Sequence, residues 1–158
     1  MKSFKSLIVL GLFGMIILVS SSSCKKCQPG DDVNIGIIDV VGDHEVIIYR
    51  NIGLPPTPYY ITGSHPSADG FQVSFDGGVT KQAINYNQYQ LIGNPMTIHC
   101  EAAFDRTVTK NSLSNTINYH VVARTCSECE GEYVVDNWAL INAVSGYTLI
   151  VTNEEIVE

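Results

Sequence analysis

Five cysteines and four histidines hold most of the chemistry open to this chain of 158 residues. Cys24 and Cys27 stand three apart, and so do Cys126 and Cys129. Two C-x-x-C pairs have the ligand spacing of a structural zinc site, but the stretch between these pairs is far longer than in compact zinc sites. A single C-x-x-C can exchange thiols for disulfides when it opens a helix, where the dipole and nearby cations lower the thiol pKa. Cys126-Ser127-Glu128-Cys129 instead follows a strand-like run. Glu128, Glu130 and Glu132 crowd it, and negative neighbours disfavour the thiolate.

The histidines are His44, His65, His99 and His120. His99 and His120 fall on the polar faces of two alternating runs and become neighbours if those runs pair. A metal site needs three or four ligands, and no third is identifiable, so no metal is expected. Ser67 lies near His65 and Asp69, yet a triad is a matter of spatial geometry, not of closeness in sequence. No G-x-S-x-G elbow, phosphate loop or H-E-x-x-H occurs. The sequence therefore points away from an enzyme and gives no catalytic residue. The best binding candidate is Asn85-Tyr86-Asn87-Gln88-Tyr89-Gln90. Tyr86 and Tyr89, interleaved with amides, suit a sugar ring or an extended peptide.

These residues sit on short strands. Asn34–Val41, Glu45–Tyr49, Pro58–Thr62, Phe71–Asp76, Asn85–Ile92, Met96–Phe104, Ile117–Thr125 and Tyr147–Thr152 are β-rich and separated by Gly, Pro, Asn and Ser. Phe71, Val73 and Phe75 alternate with polar residues, as do Ile117, Tyr119, Val121 and Ala123. Tyr133–Val135 and Trp138–Val144 are apolar but less regular. The spacing predicts an all-β, mostly antiparallel sandwich, immunoglobulin-like in architecture; a small lipocalin-like barrel is the alternative. Trp138 lies after every cysteine, so the immunoglobulin pattern of two core cysteines around a tryptophan is missing. The acidic residues thicken toward the C-terminus, where Glu154, Glu155 and Glu158 read as an exposed tail.

The N-terminus has its own logic. Lys2 and Lys5 precede Leu7–Val19, 13 apolar or glycine residues without a break, followed by serines and Cys24. A positive start, a short apolar run and a small-residue end describe an export signal, and the run is short for a bilayer span of roughly 20 residues. Ser21-Ser22-Ser23-Cys24 resembles the lipobox of bacterial lipoproteins, with Ser21 where an aliphatic residue is usual. The resemblance implies a signal peptide at 1–23, removal of that segment, and acyl chains such as palmitate on Cys24. The mature chain then has a linker at 24–32 and one domain at 33–158. Several acyl chains hold a protein stably to a membrane. Lys25 and Lys26, in place of acidic residues, favour the outer membrane facing the periplasm, with the cell surface as the alternative.

With Cys24 acylated, no cofactor is expected beyond that covalent lipid. Cys27, Cys100, Cys126 and Cys129 remain as disulfide candidates for an oxidising compartment. Cys27–Cys100 with Cys126–Cys129 is the simplest of three pairings, although Cys100 on an apolar face suits a buried thiol as well. Without Lys2 and Lys5 the chain carries seven basic against sixteen acidic side chains. That balance repels nucleic acid. The sequence thus describes a non-enzymatic envelope module, working by protein–protein contact or by glycan binding around Tyr86 and Tyr89. The paired cysteines keep a zinc or redox protein as the third reading.

Overall fold

The computed structural model describes residues 30–51, 58–125 and 132–157. It is all-β. The strands are β1 (Val33–Ile35), β2 (Val40–Val41), β3 (His44–Glu45), β4 (Ile47–Arg50), β5 (Tyr59–Ile61), β6 (Phe71–Ser74), β7 (Gln82–Ala83), β8 (Tyr89–Ile98), β9 (Ala102–Asn111), β10 (Thr116–Thr125), β11 (Tyr133–Asn142) and β12 (Thr148–Val157). A 3-10 turn at Ala68–Gly70 is the one helical element among the described residues. None of the helices there is long and apolar enough to cross a membrane.

Three sheets stack. The outer one runs β1-β9-β10-β12, the middle one β11-β8-β5 and the third β4-β6-β7; β2 and β3 form a separate small hairpin. None closes into a barrel, so the barrel alternative is set aside for the described residues. Pairing is mostly antiparallel, but β10 and β12 run parallel over ten residues, and β1 joins β9 in parallel.

Side-chain alternation explains the layers. Ile92, Met96, Ile98, Ala139 and Ile141 leave one face of the middle sheet and meet Phe104, Ile117, Tyr119, Val121 and Ala123 of the outer sheet. Leu91 and Leu140 leave the opposite face and meet Phe71 and Val73. The middle sheet is therefore covered on both sides, which is why Gln90 through Asn94 is buried without a break.

Several strands depart from their expected bounds. Asn34–Val41 is not one strand. Gly36 takes φ +74, and a Cβ there would stand 2.2 Å from the Val108 carbonyl oxygen, so the chain turns off β9 at a position only glycine fits. Met96–Phe104 is broken by a bend at residues 99–101. Gly93-Asn94-Pro95, a turn by composition, lies inside β8. Pro95 is tolerated because β5 pairs only with Leu91–Gly93 and leaves the strand beyond it open among the described residues. Residues 154–157 are largely exposed, as expected, but they are not a tail: they continue β12 and pair with β10.

Candidate functional site

The segment from residue 32 to 48 wraps the open edge of β11, pinned by the Ile38 N–H donating to the Leu140 carbonyl at 2.8 Å. Between segment and edge lies a cleft of about 460 Å3. Trp138, Leu140, Ile37 and Ile48 give it an apolar lining; Asp32, Asp39, Glu45, Asp136 and Arg106 give it charge.

Arg106 organises the cleft. Its position on β9 points inward with Phe104 and Val108, and its side chain is only 14% exposed. The guanidinium donates through Nη1 to Asp32 Oδ2 at 2.7 Å and to Asn34 Oδ1 at 3.4 Å, and through Nε to Asn137 Oδ1 at 2.9 Å. Asp32 also accepts the Phe104 N–H at 2.8 Å, which fastens the incoming chain to β9. On the other side, Arg50 pairs with Asp136 at 2.5 Å and covers Trp138 at 5.5 Å from the ring centroid. Trp138 is further fixed by edge contacts with Tyr59 and Phe71. Two of the four carboxylates are thus bound to arginines. Asp39 accepts from Asn34 at 3.2 Å, and Glu45 is exposed.

Beneath Arg106 is a polar pair. Asn94 and Asn137 face each other across β8 and β11, both fully buried. No protein group among the described residues bonds the Asn94 amide, and the Tyr119 hydroxyl is buried nearby without a hydrogen bond. Burial holds the Tyr119 hydroxyl well above its ordinary pKa, against the opposing pull of Arg106.

The binding candidates read from the sequence are engaged within the fold. Tyr86 donates its hydroxyl to the Ala68 carbonyl at 3.1 Å, and burial, with Asp69 adding, pushes its pKa up to about 12. Tyr89 packs against Phe75, ring centroids 5.4 Å apart. Gln90, from the same motif, braces the chain around Val144 with two hydrogen bonds. His99 and His120 do not meet as a pair. His99 contacts Glu155 and His120 contacts Thr152. His65 Nδ1 accepts the Ser67 backbone N–H at 3.1 Å, so the hydroxyl is not held as in a triad. Cys100 is buried in the bend after β8. Cys24, Cys27, Cys126 and Cys129 lie outside the described residues. No group of three metal-ligating side chains occurs among the described residues.

No motif in the sequence marks Arg106, Asp32, Asp136 or Trp138 as members of one site. The available signal was one charged residue at an inward position, between Phe104 and Val108. Comparison with protein-family models, curated proteins and solved structures finds no match.

Proposed function

We propose that the chain is a lipid-anchored lipoprotein of a bacterial cell envelope. It is tethered through Cys24 at the outer membrane, facing the periplasm, and its β domain is a non-enzymatic module that works by protein–protein contact. The observation that carries the contact reading is the cleft along β11: an apolar lining, a tryptophan fixed on three sides, and four carboxylates of which Arg106 holds Asp32 and Arg50 holds Asp136. That lining fits an extended partner segment with basic and apolar side chains, its cation over the Asp39–Glu45 side. Two of the three stacked sheets, the outer and the middle one, face each other around an apolar core and support an immunoglobulin-like description in architecture only. The long parallel β10–β12 pair gives a different connectivity. In this reading Cys100 pairs with Cys27, and Cys126 with Cys129. The glycan reading at Tyr86 and Tyr89 has less support, because both rings have internal partners.

Two measurements test this. Intact mass of protein extracted from native membranes should show a chain starting at Cys24 with added lipid; an unprocessed chain would overturn the anchor. A photo-crosslinking residue in place of Val40, on the cleft lining, should give a discrete protein adduct in cells. Glu45→Lys should reduce the yield of that adduct. No adduct, or an unchanged one, would overturn the contact reading.

A further inference from the structure

β12 is an edge. β10 pairs along one side of it, and among the described residues no strand pairs along the other. The parity of that open side is fixed by one hydrogen bond. Thr148 N–H donates to the Asn115 carbonyl at 2.9 Å, so the even residues of β12 bond toward β10. The odd residues, Leu149, Val151, Asn153, Glu155 and Val157, therefore turn their backbone N–H and C=O groups outward. Ten residues of such edge are long; no Pro or Lys interrupts it, and its two charges are Glu154 and Glu155, the latter held by His99. It is also apolar for an edge: Ile150 is 43% exposed, Ile156 41% and Val157 59%. On the inner face Leu149 and Val151 are only half buried against the core they border.

We infer that the occupant of this edge is β12 of a second copy, paired antiparallel about a two-fold axis through Asn153. The sequence Thr148-Leu-Ile-Val-Thr-Asn-Glu-Glu-Ile-Val157 is self-complementary about that point. Ile150 falls opposite Ile156 of the second copy, and Leu149 opposite Val157. Asn153 meets Asn153, and each glutamate meets a neutral residue: Glu154 meets Thr152, and Glu155 meets Val151. Five pairs of outward-facing residues then exchange about ten backbone hydrogen bonds. The isoleucines occupy the closer, non-hydrogen-bonded sites, where cross-strand contact is tightest. Other registers are worse. Moving the axis to Glu154 sets that carboxylate against itself, and moving it to Thr152 sets Ile150 against Glu154. The paired assembly is one continuous sheet, closed by two-fold symmetry. It uses a different surface from the cleft and stands or falls separately from the contact proposed there.

The test uses the full chain, extracted in mild detergent, with its mass read by sedimentation. The parent should have the mass of two chains. Asn153→Pro removes an outward N–H without touching the bonds to β10 and should weaken the dimer by about tenfold or more. Asn153→Thr should leave it. Trp138 emission and cooperative urea unfolding check that each variant is folded. Register is read by cysteine pairs: Ile150→Cys with Ile156→Cys should give an oxidant-dependent cross-linked dimer beyond the parent's background. Neither single variant should, because like positions stand about 20 Å apart across the axis. A parent that stays monomeric to its solubility limit overturns the inference. So does a dimer indifferent to Asn153→Pro, and so does cross-linking by either single cysteine. A monomer whose β12 amides gain exchange protection only when a basic strand-forming peptide is added assigns the edge to a foreign strand, and also overturns it.

Discussion

The ring of Tyr59 occupies the space over Gly93 that a side chain there would fill. A Cβ built on Gly93 would stand 2.0 Å from Tyr59 Cζ and 2.4 Å from its hydroxyl oxygen. The two residues are register partners, so the missing side chain of one strand is the seat of the ring on the next. The same ring makes an edge contact with Trp138, so the seat reaches the cleft. Gly93→Ala must push the ring off, at a cost of about 1–3 kcal/mol for overpacking a closed core. Urea unfolding should show that loss. Combining it with Tyr59→Leu should recover part of it, since the two changes share one space.

Asn94 and Asn137 are neighbours of the same type and the same burial, and they should respond with opposite signs. Asn137 accepts from Arg106; the Asn94 amide has no protein partner among the described residues. Asn94→Leu replaces an idle buried amide with an apolar group of similar volume and should stabilise the protein by about 1 kcal/mol. Asn137→Leu strands the Arg106 Nε and should cost about 1–3 kcal/mol. Equal effects in denaturation experiments would count against the pairing.

Arg106→Lys should not rescue the cleft. A lysine keeps the charge but cannot serve Asp32, Asn34 and Asn137 at once from a planar fork. The expected loss is about 2 kcal/mol, close to that of Arg106→Gln, with the residues near Asp32 losing amide-exchange protection first. Retention of full stability by the lysine variant would show that charge alone suffices.

Asp76 sets an acid limit for the turn after β6. It accepts from the Ser74 hydroxyl at 2.6 Å and from the Thr80 N–H at 2.9 Å, and these bonds hold its carboxyl down at about 2. A depressed folded pKa means stability that is present above the ordinary carboxylate range and lost as pH falls through it toward about 2. The stability gap between the parent and Asp76→Ala should therefore be constant near neutral pH and close over that acid window. A gap that does not narrow at all across the acid window would mean that the ionised form contributes nothing beyond the neutral one.

Strand identity was legible where one face is buried and the other is not. Ile117, Tyr119, Val121 and Ala123 alternate in sequence and are buried in the structure because β10 has the core on one side only. β8 was harder, since it has a core on each face, and alternation vanishes when both faces are covered. Its Gly93-Asn94-Pro95 carries turn chemistry for an unrelated reason, the seat for Tyr59. The charges of Glu154 and Glu155 resemble a tail in sequence, whereas pairing with β10 extends β12 through them. The cleft was hidden because Asp32, Arg106 and Asp136 come from three distant segments. Only the charge between Phe104 and Val108 marked it, and a single inward charge does not say what gathers round it.

Arg124 also fixes where the chain enters. It lies on the outward face of the outer sheet, donating to the Asp31 carbonyl at 2.9 Å and to Asp105 at 3.0 Å, with Gly30 against its guanidinium. Residue 30 thus departs from that face. Six peptide steps separate it from Cys24, a reach of about 20 Å at full stretch, less than the hydrocarbon thickness of one bilayer. On the proposed anchoring, the domain stays within about 20 Å of the lipid surface and has no long stalk. The two-fold axis between the paired β12 strands stands perpendicular to the sheet, so both copies would turn this same face one way. Two tethers would then enter one leaflet, and release would require both lipids to leave together, multiplying the residence time of a single anchor.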